Sequence, residues 1–148
     1  VLAAFPDDEI LVPSFVPDGY SLIGCYVVVD QGAVTDFGTS FGRDKEATLF
    51  SADLAVGWTG RAPMPLPARD YELAGEPLGR RGAPLRRARV RGYAAVMQEW
   101  INPGGLDRSL RIPSSLNWFD DAGRLWAVQA DENESVLLRV AESLARPS

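Results

Sequence analysis

The stretch "WFDDAGRLWAV" at 118–128, followed at once by "QADENESVLLRVAESLA", constrains the fold more than any other feature of this chain. Asp120 to Gly123 read as a four-residue loop, a type I turn closed by a left-handed glycine, which predicts pairing of 116–119 with 124–130. Asp131 then supplies an acceptor side chain at a helix start, with Glu134 three positions on, a variant of the capping box. Val136, Leu137, Val140, Ala141 and Leu144 recur at helical spacing and form a stripe that must be buried. The hairpin supplies the surface for it. A C-terminal helix lying across antiparallel strands is the expectation.

Upstream, "FVPDGYSLIGCYVVVD" places a Pro-Asp-Gly turn before a β-branched and aromatic run. Both alternating faces of that run are apolar, which predicts a central strand or one covered on both sides. "DQGA" at 30–33 turns the chain into "VTDFGTSFG", and "EATLFSADLAV" follows. Connections this short do not permit crossovers, so these read as three antiparallel strands of a meander. The periodicity then fades: Pro63, Pro65 and Pro67 favour an extended loop, with a short strand at 69–74. "ARVRGYAAVMQEW" reads as a strand with Gly92 at a bulge, or alternatively as a helix, and "SLRIP" and "SLNWF" as strands. The fold class is therefore α+β, a curved antiparallel meander packed by a C-terminal helix, over a single domain 1–148.

Composition excludes several functions. The chain has 148 residues, is 46% hydrophobic and 24% charged, and has no apolar run of membrane-spanning length. Its net charge of −5 argues against nucleic-acid binding, which depends on neutralising phosphates. It lacks histidine, which removes His-dependent triads and most His-containing zinc sites. The first residue is not methionine, so any signal or anchor is expected to lie outside this sequence.

No catalytic constellation emerges. Cys25, inside the most apolar strand, is expected to be a buried small residue and not a nucleophile. Asp120-Asp121 and Asp131-Glu132-Glu134 are explained by turn chemistry and helix-dipole compensation before any glycosidase pair. "DENES" lacks the glycine and distal glutamate of a calcium loop, and "GRRGAPLRR" lacks phosphate-loop spacing. No cofactor and no metal are expected, and the chain reads as non-enzymatic.

Two features are left as candidate partner contacts. Arginines 80, 81, 86, 87, 89 and 91 concentrate positive charge in an otherwise acidic chain, and Arg80, Arg81, Arg86 and Arg87 are read as meeting an acidic partner, an anionic lipid or a cell-wall polyanion. The alternative is a solvated run offsetting the acidic first half. Of the four tryptophans, Trp118 and Trp126 are expected under the helix. Trp58 and Trp100, beside glycines and loops, are expected to be more exposed and are the two that would touch a ligand if any does, with core packing the favoured reading of the aromatics.

The opening "ILVPSFVPDGYSLIGCYVVVD", the central "VRGYAAVMQEW" and the close "LNWFDDAGRLWAVQADENESVLLRVAESL" together resemble a family of bacterial extracytoplasmic domains of unknown function. That family is related to MucB/RseB-type regulators of anti-sigma factors and to lipoprotein-sorting proteins. The resemblance covers about half the chain and leaves out the Pro- and Arg-rich middle. It implies a non-enzymatic interaction or sensory domain in a secreted, lipid-anchored or membrane-tethered protein. The implied partner is an envelope protein or a cell-wall or lipid component, with any membrane contact made through a tether elsewhere. The alternative is a small carrier holding a lipid or other apolar ligand between sheet and helix. No catalytic residue comes with the resemblance.

Overall fold

The computed structural model describes residues 10–43, 52–60, 85–98 and 114–147. Its centre is one open antiparallel sheet of seven strands, packed on one face by a C-terminal helix. In chain order the strands are β1 (Val12–Pro13), β2 (Ser21–Asp30), β3 (Ala33–Gly42), β4 (Leu54–Thr59), β5 (Leu85–Val90), β6 (Tyr93–Gln98), β7 (Ser114–Phe119) and β8 (Leu125–Ala130). The helix α1 (Glu134–Glu142) and a short β9 (Leu144–Ala145) complete the described chain.

The sheet order is β2-β3-β4-β8-β7-β6-β5. The expected meander is therefore two meanders, β2-β3-β4 and β5-β6-β7-β8, joined where β4 pairs with β8. Two of its turns have two residues each, Gln31-Gly32 and Arg91-Gly92, and all four φ angles are positive. Such turns match the right-handed twist of the strands they join, and glycine takes the second position without steric cost. Gly92 is thus a turn residue and not the bulge expected from sequence, and Tyr93–Gln98 is a strand and not a helix.

Register explains why the core lies on one face only. Trp58, Trp126 and Trp118 are directly opposite one another across β4, β8 and β7, and Val56, Val128 and Leu116 form the next such row. Side chains alternate along a strand, so both rows point the same way. Leu137, Val140 and Ala141 of α1 are fully buried among them, together with Met97 and Ala95 of β6. Burying each large aliphatic side chain contributes roughly 1.5–3 kcal/mol. The expected burial of Leu137, Val140 and Leu144 beneath the sheet holds, although Leu144 sits on β9, one residue past the helix cap.

The helix begins two residues later than the sequence pattern indicates. Asn133, not Asp131, is the N-cap, and its side chain accepts from the Val136 N–H at 3.1 Å. Ser143 ends the helix and also reaches the N-terminal segment. Its carbonyl accepts from the Ser14 N–H at 3.0 Å and its hydroxyl from the Phe15 N–H at 3.1 Å. Beside these bonds β1 and β9 pair antiparallel, Val12 opposite Ala145 and Pro13 opposite Leu144. The two ends of the described chain are clasped together.

Candidate partner-binding surface on the uncovered side of the sheet

A nine-residue helix is roughly 13 Å long, whereas seven strands at the usual spacing span about 29 Å. Helix α1 rests on β7, β8 and β5, and residues 10–16 supply further cover through Ile10, Phe15 and Val16. At β2 the cover is partial, with Val27 packed against the core. That strand is ten residues long and forms one edge of the sheet, with Leu22 62%, Tyr26 51%, Val28 37% and Val29 55% exposed. The expectation of a central strand, or of one covered on both sides, is therefore incorrect. Its apolar content on both faces reflects an uncovered edge, which periodicity alone does not distinguish from a buried strand. Cys25, expected to be buried, is exposed for the same reason.

The other edge, β5, has the opposite character. Arg86, Arg87 and Arg89 are exposed along it, and charged side chains of this kind discourage pairing with another chain. Arg86 also pairs with Glu134 in the first turn of α1 at 3.6 Å, and Arg89 donates to the Gly92 carbonyl at 3.0 Å. Arg91, in the turn, donates its backbone N–H to Glu142 and its guanidinium to the Leu144 carbonyl. The arginine run thus fastens this edge to the helix and the C-terminal segment. Arg80, Arg81 and Trp100 lie outside the described residues.

Next to β2 the uncovered face holds a trough. Tyr26, Gly38, Gly57, Ala127 and Asn117 are directly opposite one another across β2, β3, β4, β8 and β7. They form a row perpendicular to the strands, on the face away from the helix. Two glycines and an alanine leave almost no side chain in its middle, and a space of about 360 Å³ results, with Ser40, Thr59 and Gln129 at its rim. Its lining is uncharged. The Tyr26 ring closes one end by lying over Gly38, where a methyl group would come within 2.5 Å of a ring carbon. Gly57 is the tighter position, since a methyl group there would stand 2.2 Å from the Phe37 carbonyl oxygen.

Trp58 does not line an exposed platform. It is 5% exposed, faces the helix side of the sheet opposite Trp126, and has the Arg124 guanidinium 4.9 Å over its ring. Gly57 beside it lies within β4 and marks close strand packing, whereas Gly60 follows the strand end. That was the missed signal: an isolated glycine inside a strand marks close backbone approach, and Gly38 and Gly57 stand opposite each other.

A second space, about 420 Å³, opens at the β7–β8 turn, lined by Arg91, Arg124, Arg146, Asp120, Asp121 and Trp118 among others. Its charges serve the fold. Asp120 accepts from the Ala122 and Arg124 N–H groups at 2.9 and 3.0 Å and from the Trp126 indole N–H at 3.0 Å, and Asp121 accepts from the Tyr93 hydroxyl at 3.1 Å. A third polar cluster joins Tyr20, Arg43 and Glu132, with the Tyr20 hydroxyl donating to Glu132 at 2.9 Å and Arg43 bonded to both. Burial pushes the Tyr20 hydroxyl up to about 12, against an opposing hydrogen bond from Arg43. This cluster ties the entrance of β2 and the end of β3 to the segment leading into α1.

Among the described residues no group of three or more Cys, Asp or Glu side chains is arranged to hold a metal ion, and no helix is long and apolar enough to cross a membrane. No family model, curated protein or solved structure matches the chain.

Proposed function

We propose that this chain is a non-enzymatic interaction domain of an extracytoplasmic, tethered bacterial protein, and that it takes an envelope partner on the uncovered side of its sheet at β2. The carrying observation is the contrast between the two sheet edges: β5 is guarded by arginines, whereas β2 presents Leu22, Tyr26, Val28 and Val29 to solvent. Exposed apolar side chains on an edge strand, with Tyr26 and Val28 on the face away from the helix, favour an interaction surface. The assignment to the cell envelope is supported by the resemblance of the opening, the central strand and the closing hairpin–helix to bacterial extracytoplasmic domains.

Two measurements test this reading. A photoreactive phenylalanine analogue at position 26, introduced in the cells that produce the protein, is expected to capture a partner that the same analogue at position 87 does not. Equal capture from both edges, or none from position 26, overturns the β2 assignment. Location is read from Cys25, the single cysteine of this sequence, whose exposed thiol is expected to react with a membrane-impermeant maleimide in intact or outer-membrane-permeabilised cells. Labelling only after lysis, with Cys25→Ser as control, overturns the envelope assignment.

A second reading is favoured by the trough. Its volume lies within the usual range for small-ligand sites, so a carrier for a small uncharged ligand remains a reading of the same face. The space between sheet and helix is filled by Leu137, Val140, Trp118, Trp126 and their neighbours, so this ligand would sit on the opposite face from the one first expected. A co-purified small molecule found by native mass spectrometry and lost in Ala127→Leu, which fills the trough from its open face, supports it.

A further inference from the structure

We infer that the trough on the uncovered face binds a neutral saccharide, held by Ser40, Asn117 and Gln129 over a floor of glycine and alanine. The inference rests on the small-ligand reading of this face given above and names the chemistry of what sits there.

Register builds the site. Ser40, Ala55 and Gln129 are directly opposite one another across β3, β4 and β8. They form a second row on the trough's face, two residues along the strands from Gly38, Gly57 and Ala127. Asn117, opposite Ala127, continues the first row, and Tyr26 closes its other end over Gly38. Gln129 and Asn117 are diagonal neighbours on adjacent strands, roughly 7–8 Å apart, so one sugar ring can meet both carboxamides.

Hydrogen-bonding capacity is left over at these positions. Ser40 is 5% exposed, and its hydroxyl has no partner among the described residues. The Gln129 carboxamide likewise makes no hydrogen bond among them. Asn117 donates one long bond, to the Ser115 hydroxyl at 3.4 Å, which leaves its own carbonyl oxygen open. A buried hydroxyl without a partner costs free energy that a ligand hydroxyl would recover.

The lining then selects the ligand. No charged side chain lines the trough among the described residues, so an ion would enter without a counter-charge. A hydrocarbon chain would fill the space but leave Ser40, Asn117 and Gln129 unpaired. A peptide would find no ladder, because Gly38, Gly57 and Ala127 are already paired on both sides within the sheet. A saccharide meets all three conditions. Its hydroxyls both donate and accept, as a carboxamide does, and the C–H face of its ring can lie flat on the glycines and the Ala127 methyl. The space of about 360 Å³ suits a mono- or disaccharide.

The probes are N-acetylglucosamine and cellobiose, both uncharged, set against glucuronic acid and glucosamine, which carry opposite charges at mildly acidic pH. Adenosine and N-acetylalanine amide stand for other uncharged ligands. Binding is followed by amide-detected NMR of the whole chain. Expected are saturable shifts at the Gly57 and Ala127 amides and in the side-chain amides of Asn117 and Gln129, with none along β5. Affinity is expected to fall at least about tenfold in Gln129→Ala and to vanish in Ala127→Leu. If Ala127→Leu does not fold, Ala55→Leu blocks the same floor. Ser40→Ala is expected to weaken binding at least about threefold without lowering the melting temperature, since its hydroxyl bonds nothing in the fold. Cellohexaose binding more tightly than cellobiose assigns the site to a glycan chain, and weaker binding assigns it to a free sugar.

Absent saccharide binding, equal binding of the charged sugars, or a melting temperature lowered by Ser40→Ala overturns the inference. Adenosine or the alanine amide binding more tightly than either neutral sugar rejects the saccharide and keeps the small-ligand reading. No binding of any probe, together with no co-purified molecule, rejects that reading as well.

Discussion

The rings of Trp118 and Trp126 stack 5.8 Å apart, centroid to centroid, with planes 4° from parallel, across the β7–β8 hairpin beneath α1. Their positions are directly opposite in the register, so the stack ties the two strands of the hairpin together on the face that carries the core. Both rings are nearly wholly buried. Trp118→Ala is therefore expected to cost about 3–5 kcal/mol, the usual range for losing a buried indole. Urea unfolding followed by far-UV circular dichroism checks it.

The indole of Trp126 is also held through Asp120, which closes its own turn with the other carboxylate oxygen. Removing either partner leaves the other short of a bond, so the two losses are not independent. Asp120→Ala is expected to cost about 2 kcal/mol, as for hydrogen bonds to charged groups. Adding Trp126→Phe to Asp120→Ala is expected to cost less than adding it to the native chain. Additive effects in this double-mutant cycle would show that the turn and the indole are held separately.

Gly38 and Gly57 face each other, yet they should respond differently to a methyl group. At Gly38 the obstacle is the ring of Tyr26, an exposed side chain that can swing away, and Gly38→Ala is expected to cost about 1 kcal/mol. At Gly57 the obstacle is backbone of β3, and Gly57→Ala is expected to cost about 3 kcal/mol or to prevent folding. Thermal melts of the two variants, compared side by side, decide this.

Tyr20 gives a pH signature. Burial raises its hydroxyl from the ordinary 10.0 to about 12, so the folded state holds this proton more tightly than the unfolded chain. The associated stability is intact below about pH 10 and is lost as pH rises toward 12. Tyr20→Phe should show a shallower decline over that window. Urea midpoints collected across it, with spectrophotometric titration of the tyrosines, test the sign and the assignment.

Asn133 caps α1 through its side-chain oxygen, and Asn133→Ala is expected to cost about 1 kcal/mol. Asp131→Ala, at the position favoured by the sequence pattern, is expected to change stability by less. Equal losses in the two variants would place the start of the helix earlier.

The hairpin–helix unit was legible in the sequence because its signals are local: turn residues at 120–123, a helical stripe from Val136, and a left-handed Gly123. The two-residue turn at 91–92 was not. An arginine at positive φ is uncommon, and Arg91 is held there by Glu142 and Leu144, far along the chain. The exposure of β2 was illegible for a related reason. Val-Val-Val reads alike in a buried strand and an uncovered edge, and only the length of the helix and the sheet order separate the two. The burial of Trp58 is illegible because Gly57 beside it reads as a loop signal, whereas it sits in β4 packed closely against β3; only Gly60 lies past the strand end.

The clasp between β1 and β9 has a mechanical consequence. Because Val12 lies opposite Ala145 in an antiparallel pair, tension applied through the two ends peels this short ribbon open one rung at a time and does not shear it. The first structure to yield under load is then the N-terminal strap together with its grip on the end of α1. The seven-stranded sheet, including its unprotected edge, stays assembled while the domain lengthens like a released catch.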